Sequence, residues 1–116
     1  MKKTLTLATL MMTAAAAFAH AKLQTSTPAD GTTVTAAPTE LRLTYNEPVE
    51  VSMSTIKITG AGDTAVVADK VTADPANDKT LVQPLPKLAP GDYRAQWNTM
   101  GHDGHHTKGE IHFTVK

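Results

Sequence analysis

Apolar residues in this chain alternate one by one with polar ones, and turn residues repeatedly cut the alternation. Leu41, Leu43 and Tyr45 are interleaved with Arg42 and Thr44, Ile56 and Ile58 with Lys57, Tyr93, Ala95 and Trp97 with Arg94 and Gln96, and Ile111, Phe113 and Val115 with His112 and Thr114. A period of two puts one set on each face of an extended strand, so every run reads as a strand that is buried on one side and wet on the other. The breaks are Pro28-Ala-Asp-Gly31, Ala37-Pro38, Asn46-Glu-Pro48, Gly60-Ala-Gly62-Asp63, Asp74-Pro75-Ala-Asn77-Asp78 and Ala89-Pro90-Gly91-Asp92, all combinations that favour turns. Between them the pattern predicts about seven strands, over 22–27, 40–46, 54–60, 64–71, 79–84, 92–99 and 109–115. No 3.6-residue periodicity competes with it. The expectation is one all-β domain, either an antiparallel sandwich or a small Greek-key barrel.

The first nineteen residues follow a different rule. Lys2 and Lys3 make a basic start, an apolar run follows over 5–16, and Ala17-Phe-Ala19 supplies small residues at the spacing of a cleavage site. Together these read as a secretory signal peptide, and the run is too short to span a bilayer. Residues 20–116 then make up a single domain. Ala19-His20-Ala21 also fits the small-x-small rule, so a second candidate cut lies before Lys22. The leader points to export, and to a bacterial periplasm. The whole chain carries 11 basic and 11 acidic residues, and loss of Lys2 and Lys3 with the leader makes it slightly acidic. A chain so nearly neutral has no basic footprint for nucleic acid, and no later segment is expected to insert into a membrane. Cysteine is absent, which excludes disulfides, thiolate metal sites and cysteine nucleophiles together. Any metal must be held by nitrogen and oxygen, with thioether sulfur as the one soft option.

Cleavage after Ala19 would free an α-amine on His20, and that amine and the imidazole Nδ1 can close a six-membered chelate ring on a metal. The complement lies near the other end of the chain, in His102-Asp103-Gly104-His105-His106. In an extended segment Asp103 and His105 point to the same side, and Gly104 between them permits a tight turn. Asp-Gly is also a common hairpin pair with no further role. Added to His20, the carboxylate of Asp103 and the imidazole of His105 make a set of three nitrogens and one oxygen. That set suits Cu(II), the strongest binder of the divalent series. Zinc can use the same atoms but prefers a tetrahedron. His102 and His106 are expected to point away from this pair, His112 to lie on the wet face of the last strand, and Met100 to pack.

These residues resemble the CopC family of periplasmic copper-resistance proteins, its YobA-like members included. The similarity runs from His20-Ala-Lys-Leu-x-x-Ser-Thr-Pro-Ala-Asp-Gly31, through Leu43-Thr-Tyr-Asn-Glu47 and Leu88-x-Pro-Gly-x-Tyr93 with Trp97, to Asp103-Gly-His105, Gly109 and Phe113-Thr-Val-Lys116. The resemblance implies a Greek-key β-barrel of immunoglobulin-like sandwich type that binds one Cu(II) per chain and is not an enzyme. It implies that His20, Asp103 and His105 are metal ligands and that Glu47 lies near the metal. It further implies a role in copper homeostasis as a carrier or buffer, with an inner-membrane copper transporter of the CopD type as a partner. A methionine-rich loop that binds Cu(I) in some members has no counterpart here, since the matching region around 50–64 contains only Met53.

Two other function classes fit parts of the pattern. An oxidative copper enzyme can use an N-terminal histidine brace, although this domain is small and lacks an aromatic-rich flat face. A non-metal immunoglobulin-like interaction module would need only the strands. The first measurement that discriminates is the identity of the N-terminus. Intact-mass analysis of the exported chain should find His20 as its first residue, and a start at Lys22 would remove the chelating pair altogether.

Overall fold

The structure is a computed structural model that describes residues 20–116. The leader assigned to 1–19 lies outside the described residues. Eight strands form: β1 (Leu23–Thr27), β2 (Thr32–Val34), β3 (Glu40–Tyr45), β4 (Thr55–Thr59), β5 (Thr72–Asp74), β6 (Asn77–Pro84), β7 (Gly91–Met100) and β8 (His106–Val115). They build two four-stranded sheets in the orders β1-β3-β6-β5 and β2-β8-β7-β4. Neither sheet closes on itself, so of the two expected forms the fold takes the sandwich. All pairings are antiparallel except β2 with β8. No helix among the described residues is long and apolar enough to cross a membrane.

The alternation read from the sequence is what welds the two sheets together. Leu41, Leu43 and Tyr45 of β3 and Leu81 of β6 are fully buried from one side, and Ile58, Ala95, Trp97, Ile111 and Phe113 meet them from the other. Each large apolar side chain buried this way contributes about 1.5–3 kcal/mol. The few aromatic rings are paired. Tyr45 stands edge-on to Trp97 at 5.2 Å, and Tyr93 stacks on Phe113 at 5.5 Å. One polar pair is buried as well: Ser54 and Thr99 share a 2.6 Å hydroxyl hydrogen bond, and the Ser54 hydroxyl reaches the Glu50 carbonyl at 2.7 Å. This pins a short 3-10 turn, Val51–Met53, against the end of β7.

The structure departs from the predicted strands in several places. The segment 64–71 is not a strand. It touches β4 only through an isolated bridge between Thr59 and Ala65 and a hydrogen bond from Val66 N to Ile58 O. The physical reason is topological, because β4 lies in one sheet and β5 in the other, so the intervening chain must cross between them and cannot stay paired. Val67 is left 88% exposed there. Conversely, β2 and β5 went unpredicted, each only three residues long; β2 pairs in parallel with β8, a partnership that no local pattern announces. The last strand also starts at His106 instead of residue 109, because β7 and β8 pair along their full lengths.

Tyr45 offers a test of the core. Its hydroxyl is buried without a hydrogen-bond partner, and burial pushes the phenol far above its ordinary pKa. A buried hydroxyl left unpaired is destabilising by about 1–3 kcal/mol. Tyr45→Phe should therefore keep or raise stability in urea denaturation, by up to about 1 kcal/mol. A clear loss would show that the hydroxyl has a partner.

Candidate metal centre

The site begins with the longest pairing in the molecule. β7 and β8 run antiparallel from Gly91 opposite Val115 to Met100 opposite His106, and residues 101–105 close the hairpin at one end of the sandwich. Gly101 N donates to His105 O at 3.1 Å, and Gly104 N to Gly101 O at 3.0 Å. Gly104 takes a φ of +82°, a conformation that glycine adopts at little cost. Asp103 folds back on the turn: its Oδ1 accepts from the His105 backbone N–H at 3.0 Å, and its Oδ2 lies 3.1 Å from His105 Nδ1. Asp103 and His105 do come together as expected, but a hydrogen-bonded turn unites them and strand alternation does not.

The start of the described chain is brought to the same place by three backbone tethers. Ala21 is 1% exposed, and its carbonyl accepts from the Thr107 hydroxyl at 2.8 Å. Lys22 is clamped twice by Asn46, which gives its backbone N–H to Lys22 O at 3.0 Å and accepts from Lys22 N through Oδ1 at 2.8 Å. With its two successors fixed, His20 lies over the hairpin turn. Its ring meets that of His105 edge-on, 5.0 Å between centroids and 86° between planes. One ligand atom from each of His20, Asp103 and His105 falls within 4.8 Å of the others, close enough for all three to converge on one ion.

Glu47 stands beside this trio and not within it. A bridge between Val49 and Gly101 and a 2.8 Å hydrogen bond from Glu50 N to Met100 O hold the 46–50 loop against the hairpin turn. Glu47 Oε1 is buried there with no hydrogen-bond partner. His102 lies apart from the trio, with its Nε2 3.2 Å from Glu50 Oε1. His106 is exposed in β8, and His112 is exposed further along the same strand with its Nε2 3.4 Å from Glu110 Oε1. Met53 is exposed and Met100 half-buried. Asn46 and Thr107, which tether the chain start, escaped the sequence reading. Asn46 was legible only as a turn residue, and Thr107 carried no signal at all.

The electrostatics favour a cation. The His105 backbone N–H, then its side chain, and then the proximity of both imidazoles hold the Asp103 carboxyl below its ordinary pKa, so the carboxylate is ionised well into the acid range. The Asp103 side chain is 32% exposed and that of His105 49%, which leaves the centre open to exchange with solvent. Two imidazoles and a carboxylate at a solvent-open rim suit a borderline divalent ion better than Ca²⁺ or Mg²⁺, which prefer oxygen throughout.

The chain is similar to several known proteins. A family model described as the CopC domain matches residues 23–116. Protein YobA of Escherichia coli strain K12 is 38% identical over 100 residues, spanning 85% of this chain and 81% of that protein. Copper resistance protein C of Xanthomonas campestris pv. juglandis is 33% identical over 111 residues, spanning 90% and 87%. The crystal structure of CopC from Methylosinus trichosporium OB3b superimposes with a TM-score of 0.79 at 28% identity, covering 84% of this chain and 94% of that one.

The Thr107 tether can be tested without touching a ligand. Thr107→Val keeps the shape and removes the hydrogen bond to Ala21, which typically contributes about 0.5–1.5 kcal/mol. Metal affinity should fall by up to about tenfold as the chain start loosens, while thermal unfolding shifts by only a few degrees. An unchanged affinity would mean that Ala21 burial and the Asn46 clamp on Lys22 hold His20 in place without Thr107.

Proposed function

The chain belongs to the CopC family, and on that premise we propose that it is a periplasmic Cu(II)-binding protein of copper resistance and homeostasis. The observation that carries the reading is the convergence of His20, Asp103 and His105 within 4.8 Å, assembled from opposite ends of the chain. Once the leader is cut after Ala19, the His20 amine and ring and the His105 ring supply nitrogen, and Asp103 supplies oxygen. Glu47 is a further oxygen donor at the edge of the site. One Cu(II) binds per chain as cargo, without a catalytic step.

Solvent exposure of Asp103 and His105 supports a carrier or buffer that releases its ion to a partner, and an inner-membrane transporter of the CopD type is the recipient we propose. Exposed Met53 and half-buried Met100 do not amount to a thioether cluster, and a soft Cu(I) ion prefers such ligands. Reduction therefore favours release.

Copper titration of the cleaved protein tests the assignment. His20→Ala, Asp103→Ala and His105→Ala should each weaken Cu(II) binding at least tenfold, roughly the loss of one good ligand interaction, whereas His112→Ala should leave it unchanged. Equal losses at His112 and His105 would overturn the ligand set. Acid should act through the nitrogen donors first. Asp103 is held below its usual range and stays ionised, while imidazole and amine must lose protons before they can coordinate. Affinity measured by chelator competition should therefore fall as pH drops below neutrality, with the absorption band shifting before it fades. A flat profile between pH 5 and 8 would exclude amine and imidazole ligation.

A further inference from the structure

Gly101 opens the hairpin turn, and a side chain at that position would displace the Glu47 carboxylate. A Cβ placed there would lie 2.2 Å from Glu47 Oε1 and 3.3 Å from its Cδ, and 3.0 Å from Asp103 Oδ1. The glycine is not needed for its backbone, because Gly101 is not among the residues with positive φ. What it supplies is space. The Glu47 carboxylate occupies the volume that a methyl group would fill, and Asp103 borders the same volume from the other side. Glu47 Oε1 is buried there without a hydrogen-bond donor, a placement that is unfavourable for a carboxylate unless a cation or donor repays it. Two carboxylates facing one another across a bare Cα also repel, and a cation between them reverses the sign of that interaction.

We propose that Gly101 is a positioning residue of the centre: its missing side chain forms a seat that lets the Glu47 carboxylate stand beside Asp103, so that the bound ion meets two carboxylates instead of one. This rests on the Cu(II) reading above and adds to it the residue that admits Glu47. The trio of His20, Asp103 and His105 forms without Glu47. The seat therefore tunes the ion's charge environment and strength of binding, and does not decide whether a site exists.

The test is a double-mutant cycle between Gly101→Ala and Glu47→Ala, read in both the metal-free and the copper-loaded protein. Without metal, Gly101→Ala should lower the melting temperature by a few degrees, because the new methyl collides with Glu47. In the Glu47→Ala background the closer collision is gone and only the 3.0 Å approach to Asp103 Oδ1 remains, so the same substitution should lower the melting temperature clearly less, the alanine's restriction of the unfolded chain offsetting part of what is left. With copper, Gly101→Ala should weaken Cu(II) binding about as much as Glu47→Ala does, on the order of tenfold. It should also shift the Cu(II) electron paramagnetic resonance hyperfine splitting toward that of Glu47→Ala, and the double variant should match Glu47→Ala alone. Additive effects of the two substitutions would overturn the seat and point to general distortion of the turn. So would a Gly101→Ala variant with wild-type affinity and spectrum. Failure of the wild-type protein to bind Cu(II) at all would instead overturn the reading of the centre on which the seat rests.

Discussion

Everything that matters in this molecule hangs on the pairing of β7 with β8. Ten consecutive residue pairs, from Gly91 and Val115 to Met100 and His106, make that hairpin the spine of one sheet, and its inward face carries Tyr93, Ala95, Trp97, Ile111 and Phe113 into the core. Rigidity is thereby delivered to the hairpin's closed end. A five-residue turn on a frayed hairpin would not keep Asp103 and His105 in register with anything. Here the turn is held by its own backbone hydrogen bonds and by the bridge from Val49 to Gly101. The binding geometry is thus a consequence of packing many ångströms away, in keeping with the general preference for placing sites on rigid elements.

The sequence made the strands of the spine easy to read, because half-buried strands print their two faces directly into the residue order. Tyr93 to Thr99 and Ile111 to Val115 show this cleanly. Reading failed where structure depends on partners far away in the chain. The 64–71 segment is rich in Val and Ala and looks like a strand, yet it must cross between sheets. β2 is too short to declare itself, and its parallel partner is about eighty residues further on. The site divides in the same way. His20, Asp103 and His105 were visible because their residue types are rare in such proximity. The role of Asn46 and Thr107 was invisible, since asparagine and threonine in β proteins usually mean a turn and a strand. Gly101 carries no signal in the sequence, and it is the nearness of Glu47 in space that suggests a use for its bareness.

The centre is also built at an unusual balance between order and openness. Ala21 is sealed in the core while the residue before it lies at the rim, so a single peptide unit separates a fixed anchor from the proposed ligand. Asp103 organises His105 through two contacts and at the same time offers its own charge. On the proposed ligand set, a group that both orients a neighbouring ligand and faces the ion would reduce the reorganisation needed on binding, without closing the site from solvent.

The tether between Thr107 and Ala21 has one more consequence, which concerns chain topology. An ion held jointly by His20 and His105 would link points separated by nearly the whole length of the folded domain. Such a link forms only in the folded chain, so binding would stabilise the fold by mass action, by roughly 2.7 kcal/mol at a free ion concentration a hundred times the Kd. In a domain without any disulfide, the proposed cargo would then double as a staple: the loaded protein would resist unfolding and proteolysis, and the emptied one would relax toward its intrinsic stability. The loading state of the molecule and its lifetime would be written in the same bond.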